Sequence, residues 1–205
     1  MAIITKIEKI LFEPNVFFKE LHKEKGIKTA YIYFAALFLL CSFLAVVVGF
    51  FFSKYYIALM SAVFGIKIPF AERSILQSLV VLIINYLFGL VTIFVGTGLI
   101  YLWCLIFGGK ANYVKTFQMC VYSKTPVFVF GWVPVIGLFA WFYELGLLII
   151  GTREIHKISK SKSILMYAIP VALFMLFILI IIIIMLAMIK SDPDILNNLT
   201  SPHKE

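Results

Sequence analysis

The sequence predicts an all-α protein, a polytopic membrane bundle of about five transmembrane helices preceded by an amphipathic amino-terminal segment. Three features predict it. Of 205 residues, 63% are apolar and only 14% charged, whereas soluble domains run near 45–50% apolar; the mean hydropathy is +1.06. The apolar residues gather in blocks long enough to cross a hydrocarbon layer, which takes about 20 residues of helix. Lys and Arg fall mostly between those blocks, so the net charge of +8 reports orientation in a membrane rather than a nucleic-acid partner.

Residues 1–28 place Ile3, Ile4, Ile7, Ile10 and Leu11 at helical spacing. Pro14 follows as a first-turn residue, then Val16, Phe17, Phe18 and Leu21 among Lys and Glu. This reads as two short amphipathic helices. They either bury Ile and Phe at the headgroup boundary while Lys6, Lys9, Lys19, Lys23 and Lys25 face anionic lipid, or pack on the cytoplasmic end of the bundle. With no apolar core of signal-peptide type in this stretch, the first span is expected to serve as the insertion signal.

That span covers roughly 29–52, between Lys28 and Lys54, with no charge inside. A connector with Lys54, Lys67, Pro69, Glu72 and Arg73 leads to the longest apolar block, 75–107. At 1.5 Å per residue it reaches about 50 Å, too long for one upright span and too short for two, so one tilted, protruding helix is expected. Gly108 and Gly109 end it. A shorter segment, 115–130, carries Lys124 and Pro126; Gly131, Trp132, Val133 and Pro134 form a turn; a fourth segment, 134–151, contains Glu144. A basic loop from Arg153 to Lys162 precedes the last span, 164–189, with Pro170 near its start, and 190–205 is a polar, disordered tail. Whether 115–130 and 134–151 each cross or form a re-entrant hairpin stays open.

Five spans put twelve of the 18 Lys and Arg on the side of the amino terminus and six on the other. The amino terminus is therefore expected in the cytoplasm and the carboxyl terminus outside, as in a multi-pass protein of the cell membrane.

Charge inside lipid is expensive, so Glu144 and Lys124 are the first candidates for a site. Counted from the turn near Trp132 they lie at similar depths, about 18 and 12 Å, with Asn85, Tyr122 and Ser123 near the same level. Two arrangements fit. Asn85, Tyr122, Lys124 and Glu144 converge on a polar site for a proton, an ion or a lipid headgroup, or Lys124 and Glu144 satisfy only each other while Asn85 bonds a neighbouring helix. Along the second span Asn85, Gly89, Thr92 and Gly96 recur at spacings of four, three and four, a face small enough for close helix packing.

Catalytic and metal motifs are missing: there is no HExxH, GxSxG, P-loop or GxGxxG. Cys41, Cys104 and Cys120 lie inside apolar blocks without ligand spacing, so neither a disulfide framework nor a zinc site is expected, and no cofactor. His156, beside Arg153 and Glu154, reads as an interfacial cap rather than a catalytic base.

From Gly108 onward the order of landmarks resembles the Yip domain family, five-span membrane proteins named for interacting with Rab-type GTPases. The matching features are a long second span ending in Gly108–Gly109, then Tyr113, Lys115 and Thr116, Tyr122 and Pro126, then Pro134, Trp141, Gly151, His156 and a basic loop with Ser161. Pro14 with Phe17 and Phe18 resembles the lead-in of short prokaryotic members. The resemblance implies a cytoplasmic amino terminus, five helices and an external carboxyl terminus, in agreement with the charge count. Relatives in eukaryotes act in vesicle traffic and membrane shaping through a longer cytosolic segment. With about 28 residues ahead of the first span, GTPase docking of that kind is not expected here.

The expected function is that of a non-enzymatic membrane protein which organises lipids or partner proteins, its partners being the bilayer and a membrane protein or second copy. The alternative is a small transporter or channel component that uses Lys124 and Glu144, although no inverted repeat divides the chain.

Overall fold

Why each helix starts and stops can be followed in a computed structural model, which describes residues 3–64, 74–133 and 135–191. The connector 65–73, Pro134 of the expected turn and all but the first two residues of the expected tail lie outside the described residues. Eight α-helices follow in order among the described residues: α1 (Ile3–Phe12), α2 (Pro14–Glu20, running on into a 3₁₀ turn, Leu21–Lys23), α3 (Lys28–Phe64), α4 (Ile75–Ile106), α5 (Tyr113–Ser123), α6 (Thr125–Phe130), α7 (Ile136–His156) and α8 (Lys160–Ser191). Among the described residues there is no strand. Four helices among the described residues are long and apolar enough to cross a membrane: Lys28–Tyr55, Ile75–Ile106, Ile136–His156 and Lys160–Ile184. The protein is an all-α membrane protein, and the apolar block that stops at 52 in the sequence reading continues as helix through Lys54 to Phe64.

Helix ends follow local chemistry. Ser74 caps α4 in a reciprocal box: its Oγ accepts from the Gln77 N–H (3.2 Å) while its own N–H donates to Gln77 Oε1 (3.1 Å). At the other end Gly108 takes φ +85, and Gly108 and Gly109 donate their N–H groups to Leu105 O (2.9 Å) and Cys104 O (2.8 Å). That double closure is the Schellman motif, and glycine alone adopts its left-handed residue without strain. Asn112 Oδ1 accepts from the Lys115 N–H and starts α5.

Two prolines interrupt helical hydrogen bonding, and each gap is filled by a side chain. Pro126 has no N–H for the carbonyl four residues back, that of Tyr122. The Thr125 hydroxyl donates to that oxygen at 2.7 Å, and Tyr33 on α3 in turn donates its hydroxyl to Thr125 Oγ1 (2.9 Å). Pro170 likewise leaves the carbonyl of Met166 without its helical donor, and the Trp103 indole N–H supplies one at 2.9 Å. The first gap parts α5 from α6; the second leaves α8 continuous.

The chain forms two compact units. The first holds the described residues of 1–48 and 74–167. Its centre is α5, in which every residue from Thr116 to Ser123 is buried. A helix enclosed on all sides needs neighbours all round, and α2, α3, α4 and α7 supply them. Phe94 stacks on Phe117 (5.1 Å), Phe34 meets Phe128 (5.5 Å), and Tyr33 and Phe17 each approach Tyr122 at 5.1 Å. Ile10, Phe17, Phe18 and Leu21 of the amino-terminal segment are buried in this same core. Gly151 lets α7 come close: a Cβ there would lie 2.6 Å from Met119 Cγ and 3.2 Å from Phe18.

The second unit holds the described residues of 49–73 and 168–205, the last part of α3 and most of α8. Its side chains are Phe, Leu and Ile left largely open: Phe50, Phe51 and Phe52, then the run from Leu173 to Ile184. Such surface suits lipid rather than water.

Candidate functional site

Lys124 occupies the joint between α5 and α6, created by Pro126, and from there its ammonium reaches across to α7. Nζ lies 2.8 Å from Glu144 Oε1. The pair is asymmetric: the Glu144 side chain keeps 9% of its exposure and that of Lys124 keeps 37%. A carboxylate this covered needs its cation nearby, while the lysine reaches the surface with part of its stem.

The other two members of the expected cluster go elsewhere. Asn85 is exposed and donates its amide to Val81 O of its own helix, at 2.9 Å. Tyr122 is fully buried, and its hydroxyl donates to Glu24 Oε1 (2.7 Å) while accepting from Lys6 Nζ (2.8 Å). Lys6 also contacts Glu24 Oε2 at 3.0 Å and sits 4.6 Å from the Tyr122 ring centre. Amine, carboxylate and phenol thus close a ring of three, joining α1, the turn before α3, and α5. Each charge is partly covered and each has a charge-assisted partner, the arrangement in which buried polar groups stabilise rather than cost.

A second polar knot lies next to the first. Lys115 Nζ reaches the carbonyls of Leu21 (2.7 Å), His22 (3.2 Å) and Glu24, and also Gln118 Oε1 (3.0 Å). Gln118 Nε2 donates to the carbonyls of Glu24 (3.2 Å) and Gly26 (2.6 Å). Carbonyls at a helical C-terminus are unpaired and carry partial negative charge, so an ammonium there satisfies both. Lys6, expected from the sequence to face anionic lipid, instead turns inward to Glu24 and Tyr122 with its side chain 12% exposed, and no local pattern singles out Glu24. For Gln118 one signal was present: Lys115 and Gln118 stand three apart on one helix face, and Lys115 borders the run Thr116 to Ser123 that the fold buries completely, where an unpartnered cation would be prohibitive.

The landmarks after the second span converge on one place. A Cβ on Gly109 would lie 2.6 Å from His156 Nδ1 and 2.8 Å from Cys104 O. Lys110 donates its N–H to His156 O (3.2 Å), and Thr116 Oγ1 lies 3.0 Å from His156 Nε2. His156 is fully buried, so it joins the end of α7 to the α4–α5 connection instead of capping at an interface. Tyr113 donates its hydroxyl to Phe94 O at 3.0 Å. Of the small-residue face on α4, Gly89 is the position in close approach, with a Cβ 2.1 Å from Phe38 Cε1. Thr92 bonds Gly89 O within its own helix (3.3 Å), and Gly96 faces open space.

Among the described residues no group of three His, Cys, Asp or Glu side chains is placed to hold a metal. Cys41, Cys104 and Cys120 are free thiols.

No curated protein and no solved structure matches the chain. The family model of the Yip1 domain matches residues 9–182. That stretch takes in Glu24 and Tyr122 of the first polar knot, the whole of the second, the Lys124–Glu144 pair and the Gly109–His156 junction, and the chain belongs to the Yip1 domain family of membrane proteins.

Proposed function

We propose that the protein is a non-enzymatic organiser of membrane lipids or membrane-protein partners, with its amino terminus in the cytoplasm and its carboxyl terminus outside, in the cell membrane. The observation that carries this reading is how its ionisable side chains are used. Lys6, Glu24 and Tyr122, Lys115 and the carbonyls of the 21–26 turn, and Lys124 with Glu144 all spend their hydrogen bonds on joining one helix to another. The result is a fixed amino-terminal platform. Fixed platforms suit binding, because little ordering entropy is lost when a partner docks.

Reconstitution into liposomes with ion-flux and lipid-scrambling assays tests this. The expected result is silence in both, with wild type and Glu144→Gln indistinguishable. Flux that vanishes in Glu144→Gln would overturn it in favour of a small transporter or channel component. That second reading has one specific support: the Lys124–Glu144 pair sits at a broken helix with its lysine partly open, and helix breaks are where transporters place their sites.

A further inference from the structure

The helices of the first unit differ in length in a way that measures depth. α4 and α7 end at a common level, since Gly109 abuts His156 and Lys110 bonds the His156 carbonyl. From there α7 runs back 21 residues, about 31 Å at 1.5 Å per residue, to the turn just before it at Val135. α4 runs back 32 residues, about 48 Å. The turn therefore falls roughly 17 Å short of the far end of α4. α4 has no buried residue before Ile93. The stretch 75–92 alone is about 27 Å long, close to a full hydrocarbon thickness.

A bilayer can be set at either end of α4, and charge decides between the two. Level with the other end, 93–106, lie α5 and the carboxyl half of α7, and packed on α5, α6 and α7 is the segment that carries Lys6, Glu8, Lys9, Lys19, Glu20 and Glu24. Submerging these would put six ionisable side chains, several of them open to solvent, into hydrocarbon, where charge is expensive. Setting the bilayer around 75–92 submerges none of them. α1 then marks the headgroup level: Tyr143 of α7 donates its hydroxyl to Leu11 O, while Ile4 and Phe12 face outward. From Tyr143 to the start of α7 is seven residues, about 10 Å, or less than one leaflet. Over that distance the surface is Phe130, Val135, Ile136, Leu138, Phe139 and Phe142, all exposed.

We propose that the α5–α7 hairpin does not cross the membrane: its tip, from α6 to about Phe142, is a wedge inserted among the acyl chains of the leaflet that α1 rests on. α3, α4 and α8 are then the crossing helices. The number of passes is still odd, and the Lys124–Glu144 pair comes near the headgroup level, where a partly open lysine belongs. This placement stands whether or not the liposome assays find flux, because it is read from accessibility and not from activity.

The test uses the full chain in sealed vesicles with single added cysteines and a membrane-impermeant maleimide, wild type giving the blank for the native thiols. Ser74→Cys, just beyond Gln77 at the amino-terminal end of α4, is expected to label from one side and Lys157→Cys from the other. Val135→Cys is expected to label from neither, and a fluorophore attached there in detergent before reconstitution is expected to be quenched by lipids that carry a nitroxide in mid-chain. Labelling of Val135→Cys from the Ser74 side would overturn the proposal, because the hairpin would then cross. Labelling from the Lys157 side, or no quenching by mid-chain nitroxide, would overturn it as well. Phe139→Cys serves in the same way should Val135→Cys not accumulate.

Discussion

Single glycines on α4 and after it differ in what surrounds them, and that difference predicts opposite responses to one methyl group. At Gly109 an added Cβ meets the backbone carbonyl of Cys104 at 2.8 Å and the ring of a fully buried His156 at 2.6 Å; neither can withdraw. Gly109→Ala is expected to lower the thermal midpoint in detergent, by an amount on the order of 1–3 kcal/mol. Gly96 has nothing within 4 Å, and Gly96→Ala is expected to leave the midpoint unchanged or raise it, since Ala gains up to about 1 kcal/mol in a helix. If both variants melted alike, the close approach at Gly109 would not exist in solution. The Lys124–Glu144 pair allows a similar contrast. Lys124→Met strands a carboxylate whose side chain is 9% exposed, whereas Glu144→Gln leaves behind a lysine able to reach the surface. The first should destabilise more, by about 1–2 kcal/mol once the openness of the lysine is discounted, and the double variant should recover part of the loss. Equal midpoints for the two single variants would sink the idea that Glu144 depends on Lys124.

Between helices, the joints rest on a few long-range polar bonds, and these were the least legible part of the sequence. Periodicity reports which face of a helix is apolar, and the small face of α4 was read that way; only Gly89 of it meets a neighbour closely. Lys6 and Tyr122 are 116 residues apart and Glu24 and Tyr122 are 98 apart, and no local pattern encodes such pairs. Lys124 and Glu144 were legible because both stand out against apolar neighbours within two adjacent segments, and a shared depth brought them together. The proline gaps were half legible: Pro126 marked a break, but the donors that fill the gaps belong to Thr125 and Trp103 and are seen only in three dimensions. Thr125→Val should therefore leave Tyr122 O short of a donor and cost about 1–2 kcal/mol, whereas in a Pro126→Ala background, with an N–H restored, the same change should cost much less. A thermal double-mutant cycle checks this, and additivity would mean that Thr125 does not stand in for the missing N–H. The knot at the 21–26 turn makes a kinetic claim. Lys115→Met removes the ammonium that gathers the carbonyls of Leu21, His22 and Glu24. Trypsin should then cut after Lys23 or Lys25 about tenfold faster or more, as expected when local opening becomes easier by over 1 kcal/mol. An unchanged cleavage rate would mean that the turn is held by its apolar contacts alone.

At the scale of the whole molecule, composition fixes the solvent, and so the fold class and the family were readable before any coordinates. Depth was not, because hydropathy scores each segment alone and cannot register that the hairpin ends short of α4 or that charged α1 lies beside it. Orientation occupies a middle ground. It follows from the distribution of Lys and Arg, twelve against six in the five-pass reading, and taking the hairpin out of the count of passes moves only Lys124, to the richer side. Three passes and five agree that the ends lie in different compartments, so a test of the ends probes the charge asymmetry without depending on the hairpin. In inside-out vesicles trypsin should cut within residues 19–28 and leave a tag placed after Glu205 intact; in right-side-out vesicles the tag should be removed and the amino-terminal segment spared. Finding both ends digested from one side would mean an even number of crossings, and neither the charge count nor the helix assignment would survive it.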